Sequence, residues 1–309
     1  MIHHGLLRGW GRPPGGSLPR LGANNGTPRL IANEKPREPI SEAFRNLRTS
    51  LEFCRPDQPP RTIMVTSPQP TDGKSFVAAN LAVVLAQAGR SVILVDADLR
   101  NPKQHRIFDL RRAPGFTDVF VSWNQEERAP APAPAGDGLW ERLNAKPNPP
   151  VNTPWALRPT DVVGLRVLTA GQSAPNPAEL LASQRMRELV AWLKHEADFV
   201  IFDTPPVLAV TDAPLLASQV DGALLILDFG TTRLPAAAQA VERLLRVEDN
   251  LLGVVLNRVD ASANGSGYYY YYNYYYDKEC VSQTGPLSRL SRLLGRRPAP
   301  SHNGTHRSH

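Results

Sequence analysis

Along the middle of the chain, short runs of apolar and largely β-branched residues alternate with longer stretches whose apolar positions recur at helical spacing. The runs are TIMVT (62–66), SVILVDA (91–97), LRVLTA (165–170), FVIFD (199–203), ALLILD (223–228) and LLGVVLN (251–257). Amphipathic helices are predicted between them over about 74–88, 177–196 and 235–247. Ahead of the first run, SEAFRNLRTSLEF (41–53) reads as a helix with Ala43, Phe44, Leu47 and Leu51 turned inward and Glu42, Arg45 and Arg48 along one stripe. Strands alternating with helices specify an α/β fold, a doubly wound and mostly parallel sheet with helices on both faces. The strands are apolar on both alternate positions, which fits a sheet covered on both sides.

The pattern fails in three places, and these set the expected boundaries. Residues 1–35 are rich in Gly, Pro and Asn and are predicted to be a disordered basic segment, with the fold starting after Pro39. The folded domain is assigned to 36–260. Within it, about 123–160 carries APAPAPAGDG and KPNPPVNTPW, too proline-rich for helix or strand, and is predicted to be a surface insertion. That insertion holds Trp123, Trp140 and Trp155, which fit either satellite packing over the domain or docking on a partner. Residues 261–309 form a predicted flexible tail, opening with ASANGSG and continuing into YYYYYNYYY.

Composition refines this outline. With 41% apolar residues the chain has material for a substantial core. The net charge of +6 sits at the ends: residues 1–33 hold four Arg and no acid, and 278–309 hold six Lys/Arg against one Glu. The body between them is therefore net negative, which argues against nucleic-acid binding by the domain. Cys54 and Cys280, the only cysteines, lie far apart without metal-ligand spacing, as suits a reducing, cytoplasmic compartment. No run approaches the roughly 18 apolar residues that cross a bilayer, and the N-terminus lacks a signal-type apolar region. In PLSRLSRLLGRR (286–297), Leu287, Leu290, Leu293 and Leu294 share one helical face ringed by arginines. The segment fits a weak membrane-surface contact or an unstructured basic tail.

Candidate chemistry lies at strand ends. SPQPTDGKS (67–75) joins the first predicted strand to a helix, so Gly73-Lys74-Ser75 reads as the end of a phosphate-binding loop. The loop's usual first glycine is replaced by Pro68. Lys74 is positioned for β- and γ-phosphate oxygens and Ser75 for Mg²⁺. ILVDADLRNP (93–102) closes the next strand with Asp96 and Asp98, and FVIFDTPP (199–206) closes another with Asp203. A single strand-end aspartate reads equally well as a helix cap, but three around a GKS loop favour ATP with Mg²⁺. Asn176, Pro177 and Glu179 read as an N-cap, a first-turn proline and a capping-box glutamate.

Over about residues 36–276 these motifs together resemble the bacterial tyrosine kinases of capsule and exopolysaccharide synthesis, in their cytoplasmic form; this family is related to the Min/Par ATPases. The resemblance rests on the GKS loop, VDADLRNP, FDTPPVLAVTDA, SAPNPAELLASQRM (173–186) and the tyrosine cluster. It implies a P-loop protein-tyrosine kinase that binds ATP through Pro70, Thr71, Asp72, Gly73, Lys74, Ser75 and Phe76. Asp98 and Asp203 hold the metal with Ser75, and Asp96 accepts the tyrosine proton. The implied phosphate acceptors are Tyr268, Tyr269, Tyr270, Tyr271, Tyr272, Tyr274, Tyr275 and Tyr276. EAFRNLRTS resembles an ExxRxxR motif, implying a homo-oligomeric ring through Glu42, Arg45 and Arg48, although an exposed ion-pair stripe has the same pattern. Asn257 resembles an adenine contact and fits equally a turn asparagine.

By the same resemblance the partners are a transmembrane activator of the polysaccharide co-polymerase type and a phosphotyrosine phosphatase, and the kinase is recruited to the inner face of the plasma membrane. Two loop residues depart from the family's PGEGKST: Thr71 replaces a glycine and Phe76 a threonine. A Min/Par-like ATPase switch and a catalytically weak nucleotide-binding scaffold are the competing readings.

Overall fold

The computed structural model describes residues 30–34, 39–126, 156–247 and 250–259. Its centre is a seven-stranded sheet made of β1 (Thr62–Thr66), β2 (Val92–Asp96), β3 (Leu157–Pro159), β4 (Leu165–Leu168), β5 (Phe199–Asp203), β6 (Gly222–Asp228) and β7 (Leu251–Asn257). The spatial order is β3-β4-β2-β5-β1-β6-β7, with every pairing parallel except β3 on β4. Strands β1, β2 and β5 are buried at every residue, as their unbroken apolar runs require.

The helices are α1 (Ile31–Glu34), α2 (Pro39–Glu52), α3 (Lys74–Gln87), α4 (Gln104–Ile107), α5 (Phe116–Glu126), α6 (Pro177–Ala182), α7 (Gln184–Glu196), α8 (Asp212–Ala217) and α9 (Leu234–Leu245). α3 is buried almost all round rather than amphipathic. Its outer side is covered by α1 and α2, so KSFVAANLAVVLAQ has no face left for polar residues. α1 lies inside the stretch predicted to be disordered: Ala32 is buried, and its N–H donates to Asn80 Oδ1 of α3 at 3.0 Å. On α2, Phe44, Leu47 and Leu51 face inward as expected, whereas Ala43 is exposed and Ser41 takes a buried place on the inner side.

Other predicted elements are corrected as well. The helix expected over 177–196 is two helices, because Ser183 adopts extended backbone (φ −71°, ψ 157°) and its Oγ accepts from Met186 N at 3.2 Å to start α7. Asn176 precedes α6 without a side-chain cap; its amide instead donates to Glu179 Oε2 at 3.0 Å. At the edges of the proline-rich span, α5 continues through Trp123 to Glu126 and β3 begins at Leu157. β3 tolerates Pro159 because it is a short edge strand and the proline is its last residue.

Candidate active site

Six strand ends, those of β4, β2, β5, β1, β6 and β7, point their carboxyl termini to one side of the sheet, where the connection from β1 supplies the phosphate loop. The loop turns through Thr71 (φ 73°) and Gly73 (φ 99°) before α3 starts at Lys74. Gly73 is obligatory in this setting: besides the left-handed φ, a Cβ there would lie 2.0 Å from Asn257 Nδ2. Thr71 holds a left-handed conformation with a β-branched side chain, so the loop carries local strain there.

Asp72 is buried and folds back over its own loop. Its Oδ2 accepts from Gln69 N at 3.0 Å and its Oδ1 from the Thr232 hydroxyl at 3.2 Å. Burial raises its pKa against those hydrogen bonds. Thr232 Oγ1 also accepts from Asp228 N at 2.9 Å, and Asp228 pairs with Arg258. Asn257 donates from Nδ2 to Asp72 O at 2.9 Å and accepts at Oδ1 from Arg258 N at 3.0 Å. The amide predicted to contact adenine or to shape a turn is thus engaged with the phosphate loop.

Beneath the loop, Lys74, Asp96, Asp98 and Asp203 converge, all nearly inaccessible to solvent. Lys74 Nζ lies 2.7 Å from Asp98 Oδ2, 3.6 Å from Asp203 Oδ1 and 3.3 Å from Ser75 Oγ. Asp98 Oδ1 accepts from Asn101 N at 3.0 Å. Asp96 and Asp203 are register partners across the β2–β5 pair, so two carboxylates face the same space. Burial, and then the Asp203 charge, push the Asp96 pKa well up. Burial also raises Asp203, against the opposing pull of Lys74 and hydrogen bonds from Ser75 and Gln104. Burial alone lowers the Lys74 pKa, but Asp203 and Asp98 outweigh it and hold the ammonium charged.

One oxygen of each facing carboxylate is satisfied and the other is not. Asp96 Oδ2 accepts from Lys103 N at 3.0 Å and Gln104 N at 2.9 Å, and Asp203 Oδ2 accepts from Gln104 Nε2 at 2.8 Å. Asp96 Oδ1 and Asp203 Oδ1 are buried with no hydrogen-bond partner. Two such oxygens beside a lysine and the phosphate loop suit a divalent cation and a proton donor. Among the described residues no group of three or more His, Cys, Asp or Glu could hold a metal by itself. That fits Mg²⁺, which takes one or two carboxylates and completes its shell with phosphate oxygens and water.

Residues 63–283 match the CobQ/CobB/MinD/ParA nucleotide binding domain family. The chain is 39% identical over 228 residues to the tyrosine-protein kinase YwqD of Bacillus subtilis, covering 74% of this chain and 85% of that protein. This chain belongs to the bacterial tyrosine-protein kinases. The tyrosine-protein kinase etk of Escherichia coli is 34% identical over 230 residues, which is 74% of this kinase and 28% of that protein. Among solved structures, the kinase resembles the chimerical protein CapA2B2 with a TM-score of 0.63 and 34% identity, covering 74% of this chain and 89% of that one. It resembles the kinase domain of E. coli ETK with a TM-score of 0.61 and 29% identity, covering 79% and 87% respectively.

The structure therefore brings together Pro70 to Phe76, Asp96, Asp98, Asp203 and Asn257. Phe76 is half-buried and packs edge-on against Phe44 of α2 at 5.8 Å between ring centroids. Glu42, Arg45 and Arg48 lie apart from this group on α2, where Arg45 pairs with Glu42 within the helix and Arg48 Nε is buried without a hydrogen-bond partner. Tyr268 to Tyr276 lie outside the described residues. Gln104, Thr232, Asp228 and Arg258 were not singled out by the motifs. The available signal for Gln104 was a neutral polar residue just after the first acidic motif, before the apolar Ile107 and Phe108.

Proposed function

We propose that this kinase transfers the γ-phosphoryl group of ATP to the tyrosines of its own tail, Tyr268–Tyr272 and Tyr274–Tyr276, and thereby regulates capsular or exopolysaccharide synthesis and export. The observation that carries this reading is the pair of buried oxygens on Asp96 and Asp203 that make no hydrogen bond, the second of them 3.6 Å from Lys74, directly under the phosphate loop. Ser75, Asp98 and Asp203 would hold Mg²⁺, which supplies charge neutralisation at the β- and γ-phosphates. Lys74 is presented to the same oxygens once it leaves Asp98. The tyrosine oxygen forms a bond to the γ-phosphorus, the bond from that phosphorus to the β–γ bridging oxygen breaks, and ADP departs. The phenol proton passes to Asp96. Its raised pKa suits an acceptor facing a phenol of pKa about 10, and a loose transition state asks more of positioning and charge than of base strength.

Transfer runs between subunits of a ring joined through Glu42, Arg45 and Arg48, a reading supported by the ExxRxxR spacing. From Asn257 to the first tyrosine the chain can extend about 35 Å, enough to reach a neighbour. Each phosphotyrosine adds about −1.5 to −2 charge, so a modified tail favours ring release and requires a phosphatase for reset. No helix among the described residues is long and apolar enough to cross a membrane. Recruitment to the inner face of the plasma membrane is assigned to a transmembrane co-polymerase-type activator, with at most a weak surface contact from the basic tail.

Incubation with γ-labelled Mg-ATP tests the assignment. Label retained on tyrosine by the parent protein and lost by about 10²-fold or more in Lys74→Met is the expected result. Label released wholly as free phosphate would identify a Min/Par-like ATPase, and nucleotide binding without either product a scaffold. When Lys74→Met subunits are mixed with active subunits lacking 268–276, label should appear on the former. An unlabelled mixture rules out transfer between subunits.

A further inference from the structure

Gln104 touches three parts of the site at once. Its backbone N–H donates to Asp96 Oδ2 at 2.9 Å, and its side-chain Nε2 donates to Asp203 Oδ2 at 2.8 Å and to Ser75 O at 3.1 Å. The residue has no exposed surface, and its Oε1 is itself buried without a partner. The Gln104 side chain joins the end of β5 to the first turn of α3 through neutral hydrogen bonds; Lys74 joins them through charge.

The effect on the carboxylates is selective. A carboxylate can present either oxygen, and two of them facing each other in a buried site would otherwise rotate to share whichever proton or cation is nearest. Gln104 occupies Oδ2 of both. What remains is Oδ1 of both, and neither has a hydrogen-bond partner, Asp203 Oδ1 lying 3.6 Å from Lys74 Nζ. One end of the amide is also fixed to the Ser75 carbonyl, so the orientation of Asp203 is referenced to the backbone of the phosphate loop and not only to its own strand.

We infer that Gln104 is a positioning residue for phosphoryl transfer, its side chain fixing which oxygen of Asp203 faces the reacting groups and locking that carboxylate to the Ser75 turn, while its backbone N–H, with that of Lys103, holds Asp96. Gln104 acts through these neighbours and contacts neither nucleotide nor tyrosine. The inference rests on the roles proposed above for Asp96 and Asp203. It adds a residue that neither the motifs nor the phosphate loop contains. Second-layer partners of this kind typically change metal affinity or activity by about 10–100-fold when removed.

Two variants test it: Gln104→Met, which keeps the length and removes the side-chain bonds to Ser75 O and Asp203 Oδ2 while leaving the backbone N–H on Asp96, and Gln104→Asn, which keeps the amide but is too short to span Ser75 O and Asp203 Oδ2. Each is measured for thermal unfolding, for binding of a fluorescent ADP analogue with and without Mg²⁺, and for kcat and KM of tyrosine transfer. The expected result is a folded protein whose metal-free analogue affinity stays within about threefold, whose Mg²⁺ requirement rises and whose kcat falls, both by about 10–100-fold, with KM for ATP little changed. A folded variant with kcat and Mg²⁺ dependence within about twofold of the parent overturns the inference. So does failure of both variants to fold, which would make Gln104 a scaffold residue. If the parent itself shows neither Mg²⁺-dependent analogue binding nor tyrosine transfer, the functional reading falls, irrespective of Gln104.

Discussion

Strands β2 and β5 run side by side, and each end of the pair carries aspartate, yet the two ends treat it in opposite ways. Before the strands begin, Asp198 Oδ2 accepts from Ser91 N and Ser91 Oγ, both at 2.9 Å, and its N–H donates back to Ser91 Oγ. Those bonds from Ser91 lower its pKa. Where the strands finish, Asp96 and Asp203 face each other with an oxygen each left over and pKa values raised, burial being the main cause. The neighbouring β1–β6 pair repeats the first arrangement: Asp221 Oδ2 accepts from Arg61 N and Thr62 N, and both its oxygens accept from Lys194 Nζ, at 2.7 and 2.9 Å. Burial alone would raise Asp221, but Lys194 and these N–H groups bring it down. Carboxylates at the amino end clasp adjacent strands. Asp96 and Asp203, at the carboxyl end of the β2–β5 pair, are each left an oxygen without a hydrogen bond, and that deficit is available to a ligand.

Removing a carboxylate should therefore have opposite consequences at the two ends. Asp96→Asn is expected to reduce tyrosine transfer by about 10²-fold or more while raising the melting temperature of the nucleotide-free protein. Because the native pKa lies above the unfolded one, native stability is greatest below the unfolded value of 3.8 and declines as pH rises past it. The gain from Asn should accordingly be small in melts at pH 4 and larger at pH 7.5; an equal or reversed difference would contradict the raised pKa.

At the other end, Asp221→Ala removes an acceptor shared by two backbone N–H groups and Lys194. Its expected cost is about 1–3 kcal/mol, or about 2–4 °C of melting temperature per kcal/mol in a domain of this size. Transfer per folded molecule should be unchanged. The native pKa here lies below 3.8, so the clasp contributes fully above that value and is lost as pH falls through the lower native pKa. The penalty should shrink in acid melts, and a constant penalty would show that charge plays no part.

The smallest effect is expected at Thr71→Gly. Relief of a left-handed β-branched residue, about 1–2 kcal/mol, is offset by glycine's chain entropy of about 0.5–1 kcal/mol. A net stabilisation of about 0.5–1 kcal/mol in urea midpoints is the outcome to look for. A loss would show that the threonine side chain supports the loop.

Strands β1 and β5 coincide with their apolar runs because a strand buried on both faces announces itself residue by residue, and β7 matches its run although it is a mostly half-buried edge strand. The break at Ser183 was hidden since apolar spacing continues across it, and only a backbone excursion with a serine cap divides α6 from α7. β3 was obscured by prolines, which an edge strand of three residues tolerates at its end. At the site, Lys74, Ser75, Asp96, Asp98 and Asp203 were visible as motif residues, since strand-end acids and a GKS turn are local patterns. Gln104 and Thr232 were not. Their roles come from partners 99 and 160 positions away, Asp203 and Asp72, and no spacing within a short window encodes such pairings. The inward placement expected of Ala43 failed for a related reason: α1 and α3 together, not periodicity alone, decide which side of α2 is covered.

The last strand has a second duty that governs how the chain can be shortened. Asn257 closes β7, yet its side chain holds the Asp72 carbonyl, and the Arg258 that follows both caps its Oδ1 and pairs with Asp228. The folded body therefore needs Asn257 and Arg258 as well as the strand that precedes them. A truncation after Val259 leaves the loop's anchor in place, and one after Leu256 discards it along with the tyrosines. A tail-less protein of the second kind would lose nucleotide affinity for a reason unrelated to its missing acceptors.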